Sequence, residues 1–247
     1  MGKNSKREEA QQAMNRRLQK QREAMEMQKR QNRLIRNTML VVLAFVLIAA
    51  SIGMIVTGCN RKKAKEESKF DTVSMTVTYT NAEGVFSEGT IVLKLYEDIA
   101  PITVKNFRKL VSEGFYNGLT FHRIYSGFMI QGGDPDGDGS GGSATTIKGE
   151  FSANGFQNPL SHKRGVISMA RGQSMDSASS QFFIMHKDSL QLDGKYAAFG
   201  EVISGMDVVD AIAETQVEFA PGSIDSVPTS PVNPVTIVKA ELVNPEA

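Results

Sequence analysis

The sequence predicts a mostly β domain, a closed antiparallel barrel with two helices, set behind one apolar N-terminal segment. Three observations predict it. From residue 71 onward, short runs of apolar and β-favouring residues recur between turn-forming residues. Only two stretches of that region have helical spacing. Ahead of them, residues 38–58 form a run of 21 residues without a charge.

The elements follow in order. Val73, Met75, Val77 and Tyr79 alternate with polar residues, as in a half-buried strand. Ile91–Tyr96 is a second strand, after the turn-like NAEGVFSEG. Pro101 opens a helix at its favoured first position. Val104, Phe107, Leu110 and Val111 make its apolar stripe, and Gly114 ends it. Phe121 to Gln131 gives two short strands about Ser126-Gly127. Val166–Ala170, Gln181–His186 and Ala198–Val202 are further strands. Asp207–Ala213 is a short second helix with Val208, Val209 and Ile212 on one face, and Val235–Leu242 is the last strand. Many short strands with two helices imply a closed barrel.

The N-terminal third differs in kind. Residues 1–69 hold 16 Lys+Arg and 6 Asp+Glu, a net of +10; the remaining 12 basic and 21 acidic residues give −9. The chain therefore divides into a basic tail (1–37), an apolar segment (38–58), a charged linker (59–70) and an acidic domain (71–247). Thr38–Gly58 is long enough to cross a bilayer core of roughly 30 Å as a helix. A buried core helix of that length would carry some polar face. The 11 basic residues of the tail place that end in the cytoplasm and the acidic domain outside it. The tail's partner is thus expected to be a membrane and not nucleic acid. Cys59 is the single cysteine, so it has no internal disulfide partner. Val56-Thr57-Gly58-Cys59 also fits a bacterial lipobox with a lipidated cysteine, although Thr38–Val56 exceeds the roughly 7–15-residue apolar core of a cleaved signal. An uncleaved anchor and a lipoprotein signal both leave the domain extracytoplasmic.

The chemistry concentrates in FHRIYSGFMIQGG, residues 121–133. Arg123 lies among aromatic and aliphatic residues. Phe128 and Met129 are fit to floor a small apolar pocket, and Gln131 shares a strand face with Met129. A permanently charged fork beside an apolar pocket and an amide suits a neutral, proline-sized ring next to a carbonyl. This block, with GVISMARG (165–172), SSQFFIM (179–185) and LDGKYAAFGEV (192–202), resembles the cyclophilin family of peptidyl-prolyl cis-trans isomerases over residues 73 to 244.

The resemblance implies an eight-stranded barrel capped by two helices and rotation of X-Pro bonds in unfolded or newly translocated chains. By the same likeness Arg123 is the catalytic arginine, and Gln131 holds the substrate backbone beside it. Phe128, Met129, Phe183 and Leu192 wall the proline pocket, with Ala170 and Gln181 on its rim. His122 is structural support. Tyr196 stands where the family has a pocket histidine, and Arg171 where it has a rim asparagine. Gln191 takes the place of a tryptophan that helps eukaryotic members bind cyclosporin. The alternative is a module that grips Pro-containing segments as a holdase or scaffold, with catalysis incidental, which has no need of a charge that breaks amide resonance. No cofactor or metal is expected. Asp134, Asp136, Asp138 and Gly139 imitate the first half of a calcium loop, but Thr145 stands where the bidentate glutamate belongs. The three histidines lack metal-ligand spacing.

Overall fold

The computed structural model describes residues 72–220 and 225–243, together with Met25, Met27, Lys29 and Arg30, which are helical. The chain divides into two units, Met1–Ala64 and Lys65–Ala247; the second is the one described below. The apolar run Thr38–Gly58, Cys59 and the expected boundaries at residues 37, 58 and 70 lie outside the described residues. Among the described ones, no helix is long and apolar enough to cross a membrane.

The strands are β1 (Thr72–Thr80), β2 (Phe86–Leu95), β3 (Arg123–Tyr125), β4 (Met129–Gly132), β5 (Val166–Met169), β6 (Phe182–Met185), β7 (Ala197–Ser204), β8 (Val217–Glu218), β9 (Ser230–Pro231) and β10 (Thr236–Val243). The helices are α1 (Pro101–Ser112) and α2 (Met206–Ala213). Eight strands form one antiparallel sheet in the order β10-β1-β2-β7-β5-β6-β4-β3, and β8 and β9 pair separately. The alternation of β1 decides its register. Val73, Met75 and Val77 are fully buried, and they pair with Leu93, Ile91 and Gly89 of β2. Gly89 is required there, because a Cβ would come within 2.6 Å of the Val208 side chain of α2.

The closed barrel expected from the sequence is corrected to an open half-barrel. No ladder joins its edge strands β3 and β10. The seam is crossed by the segment before β3, through the bridge of Thr120 to Thr236 and hydrogen bonds from Gly118 N–H to the Ile237 carbonyl (2.7 Å), Phe121 N–H to the Val235 carbonyl (2.9 Å) and Ile237 N–H to the Leu119 carbonyl (2.8 Å). The reason is local. β3 has three residues, and the N–H of its central Ile124 is donated to the Thr229 carbonyl at 2.7 Å. The segment leading into β9 thus covers the edge that β10 would need.

The interior is aromatic. Phe107 of α1 lies 5.0–5.6 Å, centroid to centroid, from the rings of Tyr116, Phe182 and Phe199. The start of α1 is held by a residue far along the chain. The fully buried Glu150 carboxylate accepts the N–H of Ile102 (3.0 Å), the N–H of Thr103 (2.8 Å) and the Thr103 hydroxyl (2.7 Å). These N–H groups of a first helical turn have no partner inside the helix.

Candidate active site

Period two along β4, β5 and β6 sends alternate side chains to opposite faces. Ile130, Ile167, Phe182 and Ile184 enter the main core. Met129, Val166, Phe183 and Met185 form a second apolar cluster on the other face. Phe128, Ala170, Leu192 and Tyr196 pack against that cluster. Of these, Phe128, Met129, Ala170, Phe183, Leu192 and Tyr196 floor a cavity of about 610 Å³.

The apolar walls are fixed by ring packing. Tyr196 meets Phe183 edge to face at 5.7 Å, and Tyr125 meets Phe128 likewise at 5.7 Å. Behind Phe183, the His162 ring stacks at 6.0 Å. That imidazole lies 2.8 Å from the Asp193 carboxylate through Nδ1 and 3.0 Å from the Ser168 hydroxyl through Nε2. Leu192 reaches the cavity from a single 3₁₀ turn, Leu190–Leu192, while Gln191 is exposed.

The polar wall is one connected network. Arg123 at the head of β3 pairs across to Gln131 of β4. Its Nη1 lies 3.4 Å from the Gln131 Oε1, a weak contact. Gln131 donates its amide to Gln181 Oε1 at 2.8 Å. Gln181 in turn donates to the carbonyls of Gly139 (3.0 Å) and Gly141 (2.7 Å). The Gly-rich loop is thereby tied to the site. Its aspartates act within the loop. Asp134, buried, accepts the N–H of Asp136 (2.9 Å) and of Gly139 (2.6 Å), and Asp138 accepts the Ser140 N–H (2.8 Å).

The strongest partner of Arg123 is one that sequence reasoning missed. Asp225 accepts Nε–H at 2.7 Å and Nη2–H at 2.6 Å, a bidentate pair with side chains 32% and 16% exposed. The Thr229 hydroxyl donates to the same carboxylate at 2.8 Å. Arg123 beside it holds the Asp225 carboxyl below the usual carboxylate range. Asp225 is 102 residues from Arg123, in a stretch without periodicity, so no sequence signal pointed to it.

Of the residues assigned from sequence, Arg123, Gln131, Phe128, Met129, Ala170, Phe183, Leu192 and Tyr196 all line the one cavity. Gln181 does not. It stands behind Gln131 and acts through that amide. Arg171 also lines the cavity, with its guanidinium 5.0 Å from the Tyr196 ring and 5.2 Å from Phe151. The charge at this rim position is stacked on aromatic faces. His122 is largely enclosed. Neither ring nitrogen has a hydrogen-bond partner among the described residues, and burial pushes its pKa below the usual histidine value.

Residues 75–242 match the family model described as cyclophilin type peptidyl-prolyl cis-trans isomerase/CLD. Peptidyl-prolyl cis-trans isomerase B of Bacillus subtilis is 45% identical over 134 residues, covering 52% of this chain and 90% of its own. A peptidyl-prolyl cis-trans isomerase of Helicobacter pylori is 45% identical over 130 residues, covering 52% of this chain and 77% of its own. The solved Cryptosporidium parvum cyclophilin type peptidyl-prolyl cis-trans isomerase superposes with a TM-score of 0.58 at 27% identity, over 70% of this chain and 98% of its own. The same Cryptosporidium parvum protein has been solved in the presence of the dipeptide Ala-Pro, with a TM-score of 0.54.

Proposed function

The chain belongs to the cyclophilin-type peptidyl-prolyl cis-trans isomerases, and from that premise we propose that Arg123 turns X-Pro bonds of unfolded or newly translocated chains outside the cytoplasmic membrane. The observation that carries this reading is a guanidinium and an amide, Arg123 and Gln131, facing the apolar wall of a cavity of about 610 Å³.

X-Pro rotation makes and breaks no covalent bond. It must overcome amide resonance, against a barrier of roughly 18–20 kcal/mol. In the twisted state the prolyl nitrogen regains a lone pair. A donor aimed at that nitrogen, or at the neighbouring carbonyl, stabilises the twisted state more than the planar one. The Arg123 guanidinium supplies such a donor. Phe128, Met129, Phe183 and Leu192 take the pyrrolidine ring by apolar contact, and Gln131 takes the adjoining backbone. Presence of Ala-Pro with the Cryptosporidium parvum relative supports the same class of peptide here. The test is exchange between cis and trans forms of a short Ala-Pro peptide. The full chain should accelerate it. A protein that binds the peptide and leaves the exchange rate unchanged is a proline-binding module instead.

The site outside the membrane is supported by the sequence alone. Its grounds are the uncharged run Thr38–Gly58 and the +10 charge of residues 1–69. An anchor at that point raises the local enzyme concentration where chains emerge. Protease added to intact protoplasts should remove the acidic domain and spare the basic tail. Protection of the domain until the membrane is broken would reverse the orientation. Mass measurement of the extracted protein separates an intact anchor from a chain cut before Cys59 and lipidated there.

A further inference from the structure

We propose that Asp225 is a positioning residue for Arg123, holding the guanidinium by its Nε/Nη2 edge so that Nη1 is presented beside Gln131. The inference rests on the catalytic reading of Arg123 given above.

An arginine on a pocket rim has a long stem with many rotamers, and a catalytic donor must be held in one of them. Gln131 does not achieve this, because its Oε1 is 3.4 Å from Nη1. Asp225 does, through two short charge-assisted bonds to adjacent donors. Two donors on one edge fix the plane of the guanidinium as well as its position. They also leave the Nη1 hydrogens uncommitted to the carboxylate. The acceptors of an X-Pro bond are neutral and do not displace a carboxylate from an arginine. The pair therefore persists while peptide is bound.

The clamp is itself held at both ends. Thr229 orients the carboxylate through its hydroxyl. The Thr229 carbonyl accepts the N–H of Ile124, the residue after Arg123. One residue thus links Asp225 to the strand that carries its target. Thr229 N–H is donated to Glu218, and β8 pairs with β9, which fixes the segment from the other side. Arg123, Asp225 and Thr229 line the same cavity.

The test is steady-state exchange of an Ala-Pro peptide by the full chain and three variants: Asp225→Asn, Arg123→Ala and the double variant. Asp225→Asn keeps the shape and removes the charge. It should lower kcat about tenfold with KM within about twofold, since a misplaced catalytic group costs rate and not pocket contacts. In the Arg123→Ala background the same substitution should lower the residual rate no further. A kcat at or above wild type in Asp225→Asn would overturn the proposal, because the carboxylate would then be idle or damping. A drop that persists without Arg123 would overturn it too, as a structural effect. Undiminished turnover in Arg123→Ala would instead overturn the reading beneath it, and this inference with it. If Asp225→Asn does not fold, Thr229→Val removes the orienting hydroxyl. A fall of about threefold is expected there, the scale of one neutral hydrogen bond, and unchanged kcat overturns the proposal.

Discussion

The two walls of the cavity are built in opposite ways. The apolar wall is local in origin. Met129 of β4 and Phe183 of β6 stand on adjacent strands, Met129 paired with Met185 and Phe183 with Gln131, and period two displays them on one face with Val166 of β5 in the same apolar cluster. The polar wall is assembled from distant segments. Arg123 reaches Gln131 within a hairpin but depends on Asp225, 102 residues away, and Gln131 depends on Gln181, 50 residues away. Binding shape can therefore be specified by strand pattern, whereas the placement of the guanidinium requires segments that lie far apart in the chain. The two walls should fail differently when changed.

The largest effect expected on the apolar wall comes from Phe183→Ala. It removes a ring that packs on His162 and Tyr196. Loss of a buried phenylalanine costs about 3 kcal/mol of stability at the lower end of its range. The lost apolar area should raise KM roughly tenfold with kcat changed little. Denaturant titration and exchange kinetics on the same sample check both; a fall in kcat with KM intact would erase the distinction between the walls.

A smaller effect is expected away from the cavity. Glu150→Gln retains one acceptor at the start of α1 and turns an N–H₂ toward backbone donors. Such a mismatch costs about 1–3 kcal/mol. The urea midpoint should fall while turnover of the folded protein stays at wild type, since Glu150 does not line the cavity. Lost turnover at full folding would show that the helix start and the site are coupled.

The smallest effect is the response to mild acid. Burial holds His122, His162 and His186 below the usual histidine range. As pH falls through about 6.5 the unfolded chain takes up protons first. Stability is then lost progressively toward the lower folded-state values. Asp225, held low by Arg123, adds a second loss below about pH 3.9, the ordinary carboxylate value. Urea midpoints at about pH 7.5 and 5.5 should differ, the acid one being lower; a higher midpoint in acid contradicts burial as the cause.

The same contrast explains what the sequence disclosed. The alternation of Val73, Met75 and Val77, the stripe of α1 and the face shared by Met129 and Gln131 are short-range patterns, and each is met in the structure. The blocks around residues 121–133 and 192–202 carried the pocket walls with them. Barrel closure was misjudged because it depends on what covers an edge strand, and Thr229 covers β3 from 105 residues further along. Glu150 and Asp225 were missed for the same reason. A lone carboxylate in an aperiodic stretch carries no mark of the donors it will meet.

Arg123→Ala tests the central claim most directly, with peptide affinity and exchange rate measured on one folded sample. Turnover should fall by roughly 10² or more, the scale of removing one transition-state donor. Ala-Pro affinity should stay within about threefold, because the apolar wall supplies most of the contact. Undiminished turnover by folded Arg123→Ala protein would contradict the account.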